Sequence, residues 1–255
     1  GYSAVDSRTR VGEFVNMGEY AVGKNTSGVT VGAAIYKDGN FKAQLWDYYA
    51  HDILNAMYGE VNYSWKCMLN ENVKPFAAAQ IIKESDIGNK ELKNVAGTGT
   101  IDSTYYALKA GFKVENFTAY GAYSSVGSNS ATDNIYQNAT ISPWGGMPAY
   151  TQGMVTRHQF LAGTKAKKLA VSYNWKAFGP DLSTAFYYTD YDMKANNAYT
   201  FGDASETGFD FIYKPAMVKN LNLRLRGNFA DDFNVAASGV TTSWNEYRFI
   251  VNYNF

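Results

Sequence analysis

The chain is poor in the residues that usually staple, break or charge a fold. It has one cysteine, Cys67, so no internal disulfide framework can form. Five prolines in 255 residues leave long stretches of backbone unbroken. Basic and acidic side chains number 23 each, so the basic excess that marks a nucleic-acid binder is missing. Only two histidines occur, His51 and His158, and neither sits beside a recognisable nucleophile motif, so no enzyme is expected. Gly97-Thr98-Gly99-Thr100 lacks the lysine and following helix of a phosphate loop, and no cofactor is implied. No run of about 18 apolar residues exists, which excludes a membrane-spanning helix. The opening Gly1-Tyr2-Ser3 has neither the basic nor the apolar region of a secretory signal, so a mature form, a fragment or a cytosolic chain is expected.

What the chain has in quantity is aromatic residues, 21 of them tyrosine, and 23 glycines, a β-rich and helix-poor mixture. Eleven segments of about ten residues alternate with period two. They are 28–37, 41–50, 56–66, 74–83, 103–114, 117–126, 166–176, 182–190, 206–214, 221–229 and 244–255. In the clearest, Tyr106, Leu108, Ala110, Phe112 and Val114 oppose Lys109, Gly111 and Lys113. Val29, Val31, Ala33 and Ile35 share a face of the first segment, whereas 41–50 has ambiguous parity. The connections alternate short and long, with 51–55 the exception. That rhythm, with roughly ten-residue strands, predicts an all-β fold: an antiparallel transmembrane β-barrel in a bacterial outer membrane. Its apolar parity would face lipid and its polar parity a water-filled lumen, since a packed soluble core would not hold Lys, Arg and Glu unpaired. Trp65, Trp175, Tyr188, Tyr213, Tyr253 and Phe255 fall near segment ends, as interfacial girdles do. A soluble sandwich is the rival reading.

In the closing WNEYRFIVNYNF, Phe249, Val251, Tyr253 and Phe255 lie on one face, and Glu246 and Arg248 on the other. If Phe255 is periplasmic, counting back leaves the first segment starting outside. Complete bacterial barrels have even strand numbers, so N-terminal strands are expected to be missing from the single domain 1–255.

Three stretches resemble one family, the OprD-type outer-membrane porins, including major porins of Campylobacter-like bacteria. They are FKAQLWDYYAHDILNAMYGEVNYSW (41–65), GFDFIYKPAMVKNLNLRLRGNF (208–229) and NEYRFIVNY (245–253). The resemblance covers the family's C-terminal two-thirds and implies part of a barrel of about 18 strands. It further implies passive uptake of small hydrophilic solutes, with Arg224, Arg226 and Arg248 on a basic ladder for carboxylates and Glu246 beside them. Family members are monomeric or trimeric, so a homotrimer is open. A terminal aromatic of this kind resembles the signal read by the barrel-assembly machinery. Lipid and lipopolysaccharide are the expected surroundings. Ile212 and Tyr187 stand where relatives often carry basic residues, which shortens the ladder.

From the residues themselves, Arg224, Arg226 and Arg248 share the polar parity of neighbouring strands and should form one lumenal patch. Successive guanidiniums can pass a carboxylate along; pairing with Glu246 or Asp231 merely to fill the lumen is the plainer alternative. Lys109, Lys113, Lys168 and Lys176 share the polar parity. Asp190, Asp192, Asp203 and Glu206 gather near one outer loop and Asp231 and Asp232 near the next. Such oxygens can hold Ca²⁺, though solvated loop charge is the plainer reading. Asp47 and Asp52 are expected near an outer strand end, facing the arginines. The loop 127–165, with ISPWGGMPAYTQGM at 141–154, should be compact, either narrowing the pore mouth or covering it as a surface lid. A trimeric general diffusion porin, with or without cation selectivity, and a structural or adhesive barrel without conductance remain as alternatives.

Overall fold

The computed structural model describes residues 2–4, 13–94, 100–127, 138–193, 203–235 and 241–254. Two short strands, β1 (Tyr2–Ala4) and β2 (Glu13–Val15), pair with each other. The rest of the strands form one antiparallel sheet: β3 (Val29–Asp38), β4 (Phe41–Ala50), β5 (Leu54–Ser64), β6 (Val73–Asp86), β7 (Asp102–Val114), β8 (Phe117–Val126), β9 (Lys165–Asn174), β10 (Leu182–Asp192), β11 (Ala204–Tyr213), β12 (Leu221–Val235) and β13 (Thr241–Tyr253). Each strand pairs with the next in sequence, so the order runs unbroken from β3 to β13. Among the described residues these two outer strands do not pair with each other. The eleven strands match the eleven alternating segments to within a few residues.

Antiparallel pairing puts directly opposed residues on the same side of the sheet. One side therefore carries Leu45, Val61, Ile81, Leu108, Leu169, Phe186, Leu225 and Phe249, all exposed. The register links them strand to strand: Leu169 faces Tyr188, Phe186 faces Phe209, and Leu225 faces Phe249. Large exposed apolar side chains in one continuous band are what a lipid-facing wall presents. At the end with the short turns the band closes in rings: Tyr63 lies 5.8 Å from Trp65, and Tyr173 4.8 Å from Trp175. Trp65, Trp175, Tyr188, Tyr213 and Tyr253 are all outward and exposed. Phe255 lies outside the described residues.

Two expectations about parity need correction. Val31, Ala33 and Ile35 of β3 oppose Tyr48, Trp46 and Gln44, so that apolar row faces inward. The reason sits at the long-loop end. There α1 (Met17–Val22) and a 3₁₀ turn, Glu91–Asn94, fill the inner side. Val29 packs there with Ala50, Leu54, Leu92 and Val22. On β4 the outward residues are Phe41, Leu45 and Tyr49, and Asp47 goes with them. It accepts a hydrogen bond from Asn55 at 2.6 Å on the outer surface and does not face the arginines. Asp52 lies in the turn after β4, where it accepts from the Asn89 amide.

The outward band generates a stability prediction. Leu108→Arg, in the middle of β7, should cost about 2–4 kcal/mol, while Asn62→Arg on the inner side should cost less than about 1 kcal/mol. Reversible urea unfolding in lipid or detergent measures both.

Candidate functional site: a strap and an arginine wall

The segment 138–164 between β8 and β9 turns back onto the inner side of the sheet and crosses it as a strap. A strap in this position must find partners for its own backbone, because water is excluded where it packs. The wall supplies them strand by strand. Glu84 of β6 accepts from the Ile141 amide at 2.7 Å, and Gln80 of β6 donates to the Pro148 carbonyl at 2.7 Å. Ser124 of β8 bonds the Thr151 hydroxyl at 2.6 Å, and Lys168 of β9 donates to the Gln152 carbonyl at 2.6 Å. Thr189 of β10 donates to the Thr151 carbonyl at 2.9 Å. At the far ends, Trp144 donates to the Met17 carbonyl at 2.9 Å, and His158 meets the Phe233 carbonyl of β12 at 2.8 Å. Of the two expected placements for this loop, the structure has the inner one, against the wall.

The tightest anchorage is Glu206 of β11, which is fully buried. Its carboxylate accepts from the amides of Met154 at 2.5 Å, Thr156 at 2.9 Å and Val155 at 3.3 Å, and from the Tyr187 hydroxyl. Three backbone amides and a phenol satisfy the charge without a cation in contact. Two glycines make room for this. A Cβ on Gly153 would stand 2.5 Å from the Glu206 carboxylate, and one on Gly208 would stand 2.3 Å from the Tyr187 hydroxyl. In the sequence Glu206 reads as an outer-loop acid beside Asp190, Asp192 and Asp203. The structure separates them: Asp190 and Asp192 are on the outward parity, opposite Lys167 and Lys165. Asp203 accepts from the Met193 amide. Among the described residues no group of three or more potential ligand side chains is gathered for a metal ion.

Below the strap, Arg224, Arg226 and Arg248 all point inward. Arg226 is directly opposite Asp210 on β11 and Arg248 on β13. Arg224 grips Asp210 with its fork, Nε donating to Oδ1 at 2.7 Å and Nη2 to Oδ2. Arg226 Nε stands 3.3 Å from the same carboxylate. Arg248 donates to both oxygens of Glu246, two residues away on its own strand. The three arginines are neighbours on this inner side, and each has a carboxylate partner. Asp210, absent from the sequence reading, is the shared one; its inward parity was legible, but its partner depends on register. Asp231 instead accepts from Ser243.

Between the strap and this wall lies a recess of about 290 Å³, lined by Lys168, Tyr187, Asp210, Arg226, Tyr120 and the backbone of Gln152–Met154. The Lys168 ammonium lies 4.4 Å over the Tyr187 ring. Further round, Lys109 lies 4.2 Å over the Tyr150 ring of the strap. Glu60 accepts from Tyr58 at 2.6 Å and Gln44 at 3.3 Å. Lys113 lies inward near a short turn, opposite Lys74 and Thr118, and Lys176 pairs with Asp181 at 4.0 Å in the turn after β9.

A family model described as outer membrane porin, OprD family, matches residues 6–255. This chain belongs to that family, and its wall is that of a Gram-negative outer-membrane β-barrel. The fold agrees with solved structures. OprD from Pseudomonas aeruginosa is 18% identical with a TM-score of 0.72, covering 91% of this chain and 60% of its own. OccK1 (OpdK) of the same organism is 16% identical with a TM-score of 0.69, covering 90% and 57%. OccAB3 from Acinetobacter baumannii is 16% identical with a TM-score of 0.68, covering 91% and 56%. The chain thus spans somewhat over half the length of these barrels. No curated protein matches.

The strap's anchorage is testable. Glu206→Ala removes a buried acceptor at a cost of about 1–3 kcal/mol, so the strap should open roughly 5- to 150-fold more often. Trypsin cleavage at Arg157, followed on the detergent-solubilised protein, reports the change. His158 adds a pH dependence. Burial among Tyr191, Phe233 and the strap pushes its pKa down, against the Phe233 hydrogen bond and the Glu206 charge. A carbonyl only accepts, so Nε2 carries a proton, and the lowered pKa leaves the ring neutral at pH 7. The released strap takes up a proton near pH about 6.5, the docked one only lower. Docking is therefore at full strength above about 6.5 and weakens as pH falls towards the docked-state value. Hydrogen exchange of residues 154–161, corrected for intrinsic rate, should accelerate below pH about 6 and lose that dependence in His158→Gln.

Proposed function

We propose that the protein is a passive outer-membrane channel for small hydrophilic solutes, with carboxylate-bearing ones guided along Arg224, Arg226 and Arg248. The observation that carries this reading is three guanidiniums side by side on the inner faces of β12 and β13, next to the recess below the strap. A guanidinium binds a carboxylate bidentately, and several in a row hold it at each step only as firmly as at the next. The strap narrows the path beside them, where Lys168 and Tyr187 of the wall are within reach of the same solute. No bond is made or broken in such passage. The outward band meets lipid and, in the outer leaflet, lipopolysaccharide. The alternating closing strand, with Glu246 and Arg248 inward, offers the assembly machinery its apolar edge.

A second reading is a general diffusion porin, assembled as a homotrimer and without anion preference. It is favoured by one fact: Asp210 and Glu246 already engage the arginines.

Reversal potentials of the whole protein in planar bilayers under a salt gradient separate the readings. Arg224→Ala combined with Arg226→Ala should lower the anion-to-cation permeability ratio several-fold and slow lactate entry into proteoliposomes. An unchanged ratio and an unchanged lactate flux would remove the ladder and leave general diffusion. Absent conductance would leave a structural or adhesive barrel.

A further inference from the structure

The arginine wall contains its own carboxylate, and this narrows the solutes it can select. Asp210 holds Arg224 through both oxygens and stands 3.3 Å from Arg226. It is mostly covered, with 18% of its side chain exposed, and Arg226 is covered to a similar degree at 23%. Arg248 is matched by Glu246. Three guanidiniums therefore face two carboxylates, and the wall keeps about one net positive charge. Asp210 also opens onto the recess below the strap, together with Arg226, Lys168 and Tyr187.

An entering monoanion meets a poor bargain at this point. To take the fork of Arg224 it must displace Asp210, and at Arg226 it must stand beside that carboxylate; either way two negative charges crowd one site. A zwitterion with an adjacent ammonium and carboxylate avoids that conflict. Its carboxylate takes the guanidinium while its ammonium takes Asp210, so every charge keeps a partner throughout the exchange. A cation alone can pair with Asp210 but meets the arginines and Lys168 as like charges.

We propose that Asp210 is the specificity-determining residue of this channel and that it selects α-amino-acid zwitterions over simple carboxylates. The inference rests on the carboxylate-guiding reading of the arginines and sharpens its substrate class.

Alanine and lactate test it, because they share a carboxylate and nearly share a size, and differ in an ammonium against a hydroxyl. In proteoliposomes of the unaltered protein, alanine should enter several-fold faster than lactate. Asp210→Asn keeps the shape and one acceptor oxygen but removes the competing charge. It should raise lactate entry and chloride permeability several-fold and bring the alanine-to-lactate ratio close to one. Asp210→Glu should restore the preference. Lactate entering as fast as alanine in the unaltered protein would overturn the proposal without any variant having to fold. So would an unchanged ratio in a conducting Asp210→Asn channel. The two readings fail separately. An unaltered lactate flux in the Arg224→Ala, Arg226→Ala protein removes the ladder. An unaltered alanine-to-lactate ratio in Asp210→Asn, with the arginine effect intact, removes only the role of Asp210.

Discussion

A backbone amide carried through hydrocarbon has no water to bond, so each strand of this protein must bond its neighbours along its whole length. Everything else in the structure follows from that ladder. It makes the pairing strictly sequential from β3 to β13. It forces side chains onto alternate sides and so gives the wall one apolar and one polar surface. It also concentrates the chemistry: side chains that would be scattered over the surface of a soluble sheet are collected on the inner side.

The same rule governs the strap. Residues 138–164 leave the wall after β8 and return onto its inner face, where their own amides and carbonyls need partners. Glu206, Gln80, Glu84, Thr189 and Lys168 provide them. The inner surface is therefore divided between two tasks. One set of polar residues holds the strap. A second set, on β11 to β13, is engaged in ion pairs of its own. Tyr187 stands at the boundary, bonding Glu206 and the Met154 amide while carrying the Lys168 ammonium over its ring.

Electrostatics in the second set is a matter of compensation. Uncompensated guanidiniums in a narrow lumen would hold anions too firmly to release them. Carboxylates placed among them lower that grip, and here Asp210 and Glu246 are so placed. Asp210 stands opposite Arg226 in the register and is bonded diagonally by Arg224, whereas Glu246 serves one arginine on its own strand. The first is thus shared and the second private.

The alternation of residues such as Leu108 with Lys109 carries the strand positions, the barrel class and the inward placement of Arg224, Arg226 and Arg248, because period two is a local property of the chain. The OprD-like stretches carry the family. The side chosen by Val31 and Ile35 of β3 is not local: parity says which residues share a face, and what packs against each face decides which is inner. α1 and the turn at Glu91–Asn94 decide it here. The ambiguous 41–50 hides Asp47 for the same reason. Nor do Asp210 and Glu206 announce their roles. Each bonds groups supplied by other segments, 14 or more residues away, and such partners are chosen by strand register and by the path of the strap. The sequence by itself determined a two-faced wall with arginines inside it. Only the tertiary structure decided which carboxylates those arginines meet and where the strap lies, because these depend on contacts between elements that no local pattern encodes.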